Sequence, residues 1–296
     1  MSAGTVPMGR THDIGAEGSA RHRVGVLRRL PLTILVFAVV LVIFVVPFVF
    51  ILVQAVKTPS EASSLSMAWP HTVQFWSNLT TVIQAKEYDL VVAFINSAVL
   101  TVVSVTFMVL FGAMTAFIWQ RRRGKIGLTI QLMVLAGLVI PPAVVPTVWV
   151  LQSLGLFKTM PGLMLIEITF HMSFCVLLFR GFVATIPREI DEAAIVDGAG
   201  PLKLFFTIVF PLLKPVIVTV VVVQSVAVFN DFVNPLYFLP GYPTVQLTLY
   251  NYISDYLNMY NLLFMNVLLI TIPPLIVFII FNRQMVAGMT SGAVKG

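Results

Sequence analysis

The sequence predicts an all-α, polytopic membrane protein with six transmembrane helices and both termini in the cytoplasm. Three observations carry that prediction. Of 296 residues, 58% are apolar and 10% are charged, against about 45–50% and about 25% in an ordinary soluble domain. Uncharged runs long enough for a span of ~20 residues recur along the chain. The Lys and Arg residues gather on alternate connections between those runs. The mean hydropathy of +0.98 agrees. Together these exclude a soluble enzyme, a disordered chain and a disulfide scaffold, since Cys175 is the sole cysteine.

The first 30 residues hold Gly, Ser, Arg and His with little apolar content, and read as a mobile polar tail. The uncharged run 30–56 follows, and its span is placed at 32–56. That run is longer than the ~7–15 residues of a signal-peptide core and no small-x-small site follows it, so it reads as a retained anchor. An outer loop at 57–91 contains Pro59, Pro70, Trp69 and Trp76. The second span is placed at 92–119. The third, at 127–151, is interrupted by Pro141, Pro142 and Pro146, each of which removes a backbone donor. The fourth, at 161–181, carries Glu167. The fifth, at 212–235, carries Asp231. An outer segment at 236–260 holds Pro240, Gly241, Pro243, Tyr242, Tyr250, Tyr252, Tyr256 and Tyr260, and the sixth span lies at 261–282. Tyr and Trp favour the membrane–water boundary, so both outer segments read first as an interfacial belt. Residues 31–296 thus form one membrane domain without an internal repeat.

Fifteen of the eighteen Lys and Arg fall on one side. They are Arg10, Arg21, Arg23, Arg28 and Arg29 in the tail; Arg121, Arg122, Arg123 and Lys125 after the second span; Arg180, Arg188, Lys203 and Lys214 after the fourth; and Arg283 and Lys295 at the end. Only Lys57, Lys86 and Lys158 face the other way. The asymmetry marks the cytoplasmic face. It accounts for the net charge of +6 without a nucleic-acid partner, and two cytoplasmic ends require an even number of spans.

Residues 182–214 form the long internal cytoplasmic loop. Pro187 suits a first helical position, and Glu189, Asp191 and Glu192 sit where a helix dipole favours negative charge. Ile186, Ile190, Ala193 and Ala194 recur at three- and four-residue spacing, giving one apolar face. Gly198 and Gly200 stop the helix, and Pro201 opens a second short one leading to Pro211. The apolar face needs cover from the protein's own spans, from lipid, or from a cytosolic partner, and patterning alone does not choose.

The run Glu192-Ala193-Ala194, three residues to Gly198, then nine to Ile208 and on to Pro211 resembles the EAA loop of ABC-importer permeases, EAA-x3-G-x9-I-x-L-P, with Phe210 in the Leu position. Four further segments are similar to the carbohydrate-uptake permeases of the maltose-transporter type: 94–102 (FINSAVLTV), 140–156 (IPPAVVPTVWVLQSLGL), 229–238 (FNDFVNPLYF) and the ending 289–296 (MTSGAVKG). KTPSE at 57–61 fits the start of their outer loop. The likeness is to the shorter permease of the pair. It implies the type I ABC-importer transmembrane fold in a bacterial or archaeal cell membrane. The partners it implies are a second homologous permease, an ATPase dimer, an extracytoplasmic solute-binding protein and a sugar. By the same resemblance Glu192, Ala193, Ala194, Asp197, Gly198, Ile208 and Pro211 belong to the ATPase-coupling loop. The chain has no G-x-x-x-x-G-K-[ST] phosphate loop, so ATP and Mg are expected at the partner ATPase, with no cofactor or metal bound by this chain.

Candidate translocation-path residues follow from cost and chemistry. An ionised group at mid-bilayer costs ~2.5–3.5 kcal/mol on insertion scales, so Glu167 and Asp231 need a reason. Glu167 and His171 share a helix face; they read either as an intrahelical packing pair or as facing a polar cavity. Asn230, Asp231 and Asn234 lie in the matched 229–238 segment and offer the donors and acceptors a sugar requires. Asn96 is a weaker candidate, since a lone amide often bonds a neighbouring helix. Two rivals stand beside the ABC reading. One is an ion-coupled secondary transporter using Glu167 and His171 as a proton relay. The other is an intramembrane enzyme, for which the scattered His12, His22, His71, His171 and Cys175 supply no constellation.

Overall fold

The computed structural model describes residues 15–122, 124–255 and 259–293, with side chains over 33–122, 124–251 and 259–281. Residues 1–14 of the expected tail, Arg123, Tyr256 and Lys295 therefore lie outside the described residues. For Arg21, Arg23, Arg28, Arg29, Tyr252 and Arg283 the backbone alone is described.

Helix α1 runs Gly15–Ala55, and its apolar part, Thr33–Ala55, carries exposed Ile, Leu, Val and Phe on every side. A helix that is apolar all round suits lipid. Near its end it packs on the last helix, with Phe50 edge-on to Phe264 at 5.3 Å between ring centroids. The next stretch is folded where a plain loop was expected. Short helix α2, Pro59–Ala62, starts from a capping box: Thr58 Oγ1 accepts from Glu61 N–H at 3.3 Å, while Thr58 N–H donates to Glu61 Oε2 at 3.4 Å. Lys57 is buried, and its ammonium donates to the Ser66 carbonyl at 2.6 Å. Gln54 Nε2 donates to the same carbonyl at 2.7 Å. Asn78 Nδ2 donates to the Ala55 and Lys57 carbonyls at 2.8 and 2.9 Å, and Asn261 Nδ2 donates to Asn78 Oδ1 at 2.9 Å. These amide and ammonium donors are paired because an unpaired one is expensive away from water.

Helix α3, Phe75–Arg121, leaves helical geometry at residues 85–88 before its long straight part. It packs along α6, Met160–Val183, where Gly112, Ala113 and Ala116 let the backbones approach. A Cβ on Gly112 would stand 3.2 Å from Cys175 Cβ. Between them lie α4, Lys125–Val139, and α5, Val144–Ser153. The expected single third span is thus two short helices, separated at 140–143 by Pro141 and Pro142. Pro146 sits in the first turn of α5, where a missing N–H loses nothing. It helps start a helix and does not break one.

After α6 come α7, Arg188–Val196; α8, Pro201–Lys203; a π-helical turn, Leu204–Val209; and α9, Phe210–Leu212. The Pro201–Leu212 segment meets α10, Lys214–Phe229, at 76°. Helix α10 stops at Phe229, short of the expected residue 235. Asn230 caps it, and α11, Val233–Phe238, is a separate short helix. The break is chemical: Asp231 Oδ1 accepts from the Val233 and Asn234 N–H groups at 2.8 and 3.3 Å, supplying acceptors that a continuing helix would have drawn from α10. Helices α12, Val245–Asp255, and α13, Tyr260–Ala293, complete the chain. Among the described residues four helices are long and apolar enough to cross a membrane, and the bent pair at α10 makes a fifth. The protein is an all-α polytopic membrane protein with four to five such helices, fewer than the six uninterrupted spans the sequence predicts. The shortfall lies in the proline-split third span.

Candidate functional site in the 182–214 loop and the break after residue 229

Helix α7 is short and one-sided. Pro187, expected at the first helical position, has extended backbone (φ −56, ψ 142) and precedes the helix. Glu189 and Asp191 fall in the first turn. Ile190, Asp191 and Ala194 turn inward, at the four-residue spacing of a helix face. Glu192, Ala193, Ile195, Val196, Asp197 and Gly198 turn outward, and Val196 is 85% exposed. Ala193, grouped by spacing with the apolar inner face, is therefore on the outer one. A short helix showing Ile195 and Val196 to water at its tip leaves apolar surface uncovered.

The end of α7 is a Schellman motif. The Ala199 N–H donates to the Ala194 carbonyl at 2.9 Å and the Gly198 N–H to the Ile195 carbonyl at 3.0 Å. This geometry puts Gly198 at φ +79, which L side chains rarely adopt. Nothing stands within 4 Å of where its Cβ would be. The requirement for glycine within the chain is thus one of backbone conformation. Pro201 opens α8. The following turn widens because Pro211 has no N–H to give; Phe210 N–H bonds back to the Phe205 carbonyl instead. Ile208 is half-buried in this turn and Pro211 is exposed.

The inner face of the loop is held by the last turn of α3. Arg121 Nε pairs with Asp191 Oδ2, and Arg121 Nη2 donates to the Ile186 carbonyl at 3.1 Å. Arg188 Nη2 donates to the Gln120 carbonyl at 3.2 Å, and Arg180 Nε donates to Gln120 Oε1 at 3.3 Å. The Arg180 guanidinium lies 3.7 Å over the Trp119 ring. Sequence reasoning missed Arg121 and Asp191 as partners. Asp191 was explained by the helix dipole and Arg121 by membrane sidedness, and neither explanation points to the other.

The path candidates form two groups and one outlier. Glu167, fully buried, accepts from Asn234 Nδ2 at 3.2 Å, and its carboxyl lies beside that of Asp231. His171 Nδ1 stands 3.5 Å from Glu167 Oε2 and 3.0 Å from the Glu167 carbonyl, to which an Nδ1–H donates. Asn230 is exposed; its Oδ1 accepts from Gln246 Nε2 at 3.0 Å. These two amides line a groove of about 440 Å³ with Thr271, Pro274 and Phe278. Asn96 belongs to neither group, since its Nδ2 donates to the Pro243 carbonyl at 2.9 Å. Gln246 is a polar groove residue that sequence reasoning did not single out.

Residues 108–291 match the family described as the binding-protein-dependent transport system inner membrane component. The chain belongs to this family. It is a multi-pass inner-membrane permease of the carbohydrate-uptake superfamily of ABC importers, as the 192–211 pattern together with the segments at 94–102, 140–156, 229–238 and 289–296 implied. The melibiose/raffinose/stachyose import permease protein MelC of Bacillus subtilis is 30% identical over 88% of this chain and 95% of its own length. The probable starch degradation products transport system permease protein AmyC of Thermoanaerobacterium thermosulfurigenes is 28% identical over 86% of this chain and 92% of its own. A chain of a bacterial ABC transporter that imports the acidic polysaccharide alginate shares the fold. Its TM-score is 0.70 at 18% identity, covering 89% of this chain and 97% of that one. The ion-gradient reading of Glu167 and His171 gains no support from any of these.

Proposed function

We propose that this chain is one permease of a sugar or oligosaccharide importer, and that α7 with its glycine turn is the surface gripped by the ATPase. The observation that carries this is the division of α7: Ile190, Asp191 and Ala194 are held from within, while Glu192, Ala193, Ile195 and Val196 project. Small residues at 193 and 198 let another backbone approach closely. Glu192 and Asp197 are exposed acids available to basic groups on a partner. Closure of the ATPase dimer on ATP and Mg then moves α7, and a rigid-body change of the membrane helices exchanges outward- and inward-facing states. Sugar and nucleotide bias that exchange only through their differential affinity for the two states.

The six-crossing topology with cytoplasmic termini is part of this proposal. Lys125 follows closely on Arg121, beside α7. Lys158 N–H donates to the Phe238 carbonyl at 3.1 Å, next to the start of α6 and hence one α6 length away, roughly 36 Å at 1.5 Å per residue. Helices α4 and α5 therefore carry the chain from one end of α6 to the other, which supports counting them as a broken third span.

For the sugar path we assign Asn230 and Gln246 as groove-lining hydrogen-bonders. The Glu167, His171, Asp231 and Asn234 cluster shapes the break beside them, and Asn96 pins residue 243. That relatives are named for melibiose, raffinose, stachyose and starch products supports a small oligosaccharide as the substrate. The test is co-expression with the neighbouring transport genes, purification, and uptake of labelled melibiose, raffinose and maltose into proteoliposomes. ATP-dependent uptake of one of them, with an ATPase co-purifying, is expected. Purification without any ATPase would refute the reading.

A further inference from the structure

Arg121 and Asp191 lie outside the EAA pattern, yet they form an ion pair between the loop and the last turn of α3. Each side chain is nearly buried, at 13% and 11% exposure. Arg121 also holds the Ile186 carbonyl just before α7, and Arg188 at the start of α7 reaches back to the Gln120 carbonyl. Phe117, one turn earlier on α3, packs against Phe205 in the π-helical turn, 5.7 Å between ring centroids. The last turn of α3 thus grips α7 before, within and after. A planar guanidinium with several fixed donors suits such a clamp.

The other end of the straight part of α3 is tied as well. Asn96 Nδ2 donates to the Pro243 carbonyl at 2.9 Å, and Ser97 Oγ accepts from the Val245 N–H at 3.0 Å. From Ser97 to Arg121 the helix is uninterrupted, roughly 36 Å at 1.5 Å per residue. Its packed face against α6 leaves it little freedom to bend.

We infer that the Arg121–Asp191 ion pair is the positioning device that makes α3 a push-rod, transmitting displacement of α7 to residues 243–245 at the opposite membrane face. Both residues act through α3 and touch neither sugar nor nucleotide. The inference rests on the proposed docking of an ATPase at α7.

The test uses the whole purified complex with spin labels at Trp69 and Tyr242, both exposed. Their separation is measured without nucleotide and with ATP, Mg and vanadate. In the otherwise unaltered complex the distance shifts. Arg121→Gln and Asp191→Asn each remove at least half of that shift while the ATPase still co-purifies. The double variant is no worse than either single one, because a pair broken once cannot be broken again. Arg121→Lys, which keeps the charge but loses the fork that also reaches the Ile186 carbonyl, retains part of the shift. A full shift in the neutral variants, additive losses in the double variant, or equal loss in Arg121→Lys and Arg121→Gln would each overturn the inference while leaving ATPase docking intact. A complex with no ATPase and no shift before any substitution at 121 or 191 overturns the docking proposal and this inference with it.

Discussion

At Gly198 the φ of +79 with empty space around the absent side chain separates two reasons for keeping glycine. A larger residue meets no neighbour in its own chain, so folding and insertion are not blocked by a clash. It does carry the left-handed cost of about 1–2 kcal/mol, and it puts bulk on the projecting surface. Gly198→Val is therefore expected to reach the membrane at near-normal levels and to lose at least tenfold in uptake. Immunoblotting of membranes beside a transport assay checks both halves. Normal uptake would remove Gly198 from the docking surface. This glycine was legible in the sequence because its spacing from Glu192 and its place after an amphipathic run are local. The Arg121–Asp191 pair was not, because its halves stand far apart along the chain and each has a sufficient local explanation. Asp231 was half legible: its polarity stood out, but its work as an acceptor for two backbone N–H groups was not read from it.

Among the elements, long apolar helices were legible because lipid demands length and composition together. Their interruptions were harder to read. The Pro141-Pro142 pair announces a break, and the structure turns it into two helices; the end of α10 at Phe229 gives no such notice. The region 54–78 shows the reverse error, since short polar sequence looked like loop and is a folded cap. Its Thr58–Glu61 spacing is a capping-box signature and could have been read as one. The Glu61 carboxylate accepts from the His71 N–H at 3.0 Å, and this bond, with those from Thr58, lowers its pKa from the ordinary 4.5. Because the folded value is depressed, the contribution to the cap is present above the unfolded value and is lost as pH falls through the folded one. Hydrogen exchange at Thr58 and His71, corrected for intrinsic rate, should be faster in Glu61→Gln than in the unaltered chain at pH 7. The difference should vanish in acid below the lowered value. A difference that stays constant with pH would contradict this role.

On the scale of the whole molecule, composition and the sidedness of Lys and Arg gave the class, and the EAA spacing gave the family. Neither reaches the substrate, because relatives of this similarity are named for different oligosaccharides. The candidate path residues divide between a groove at Asn230 and Gln246, where α10, α12 and α13 meet, and a buried cluster at Glu167, where α6 meets α11, and neither meeting leaves a local pattern. The proposed mechanism joins three features: the exposed apolar tip on α7, the Arg121–Asp191 pair, and the long helix α3. The most direct measurement places a photoreactive side chain at Val196 of the assembled complex in membranes and identifies what it captures. The account predicts capture of a polypeptide bearing a G-x-x-x-x-G-K-[ST] phosphate loop, with the yield changing when ATP is added. Capture confined to this chain itself or to lipid would contradict it.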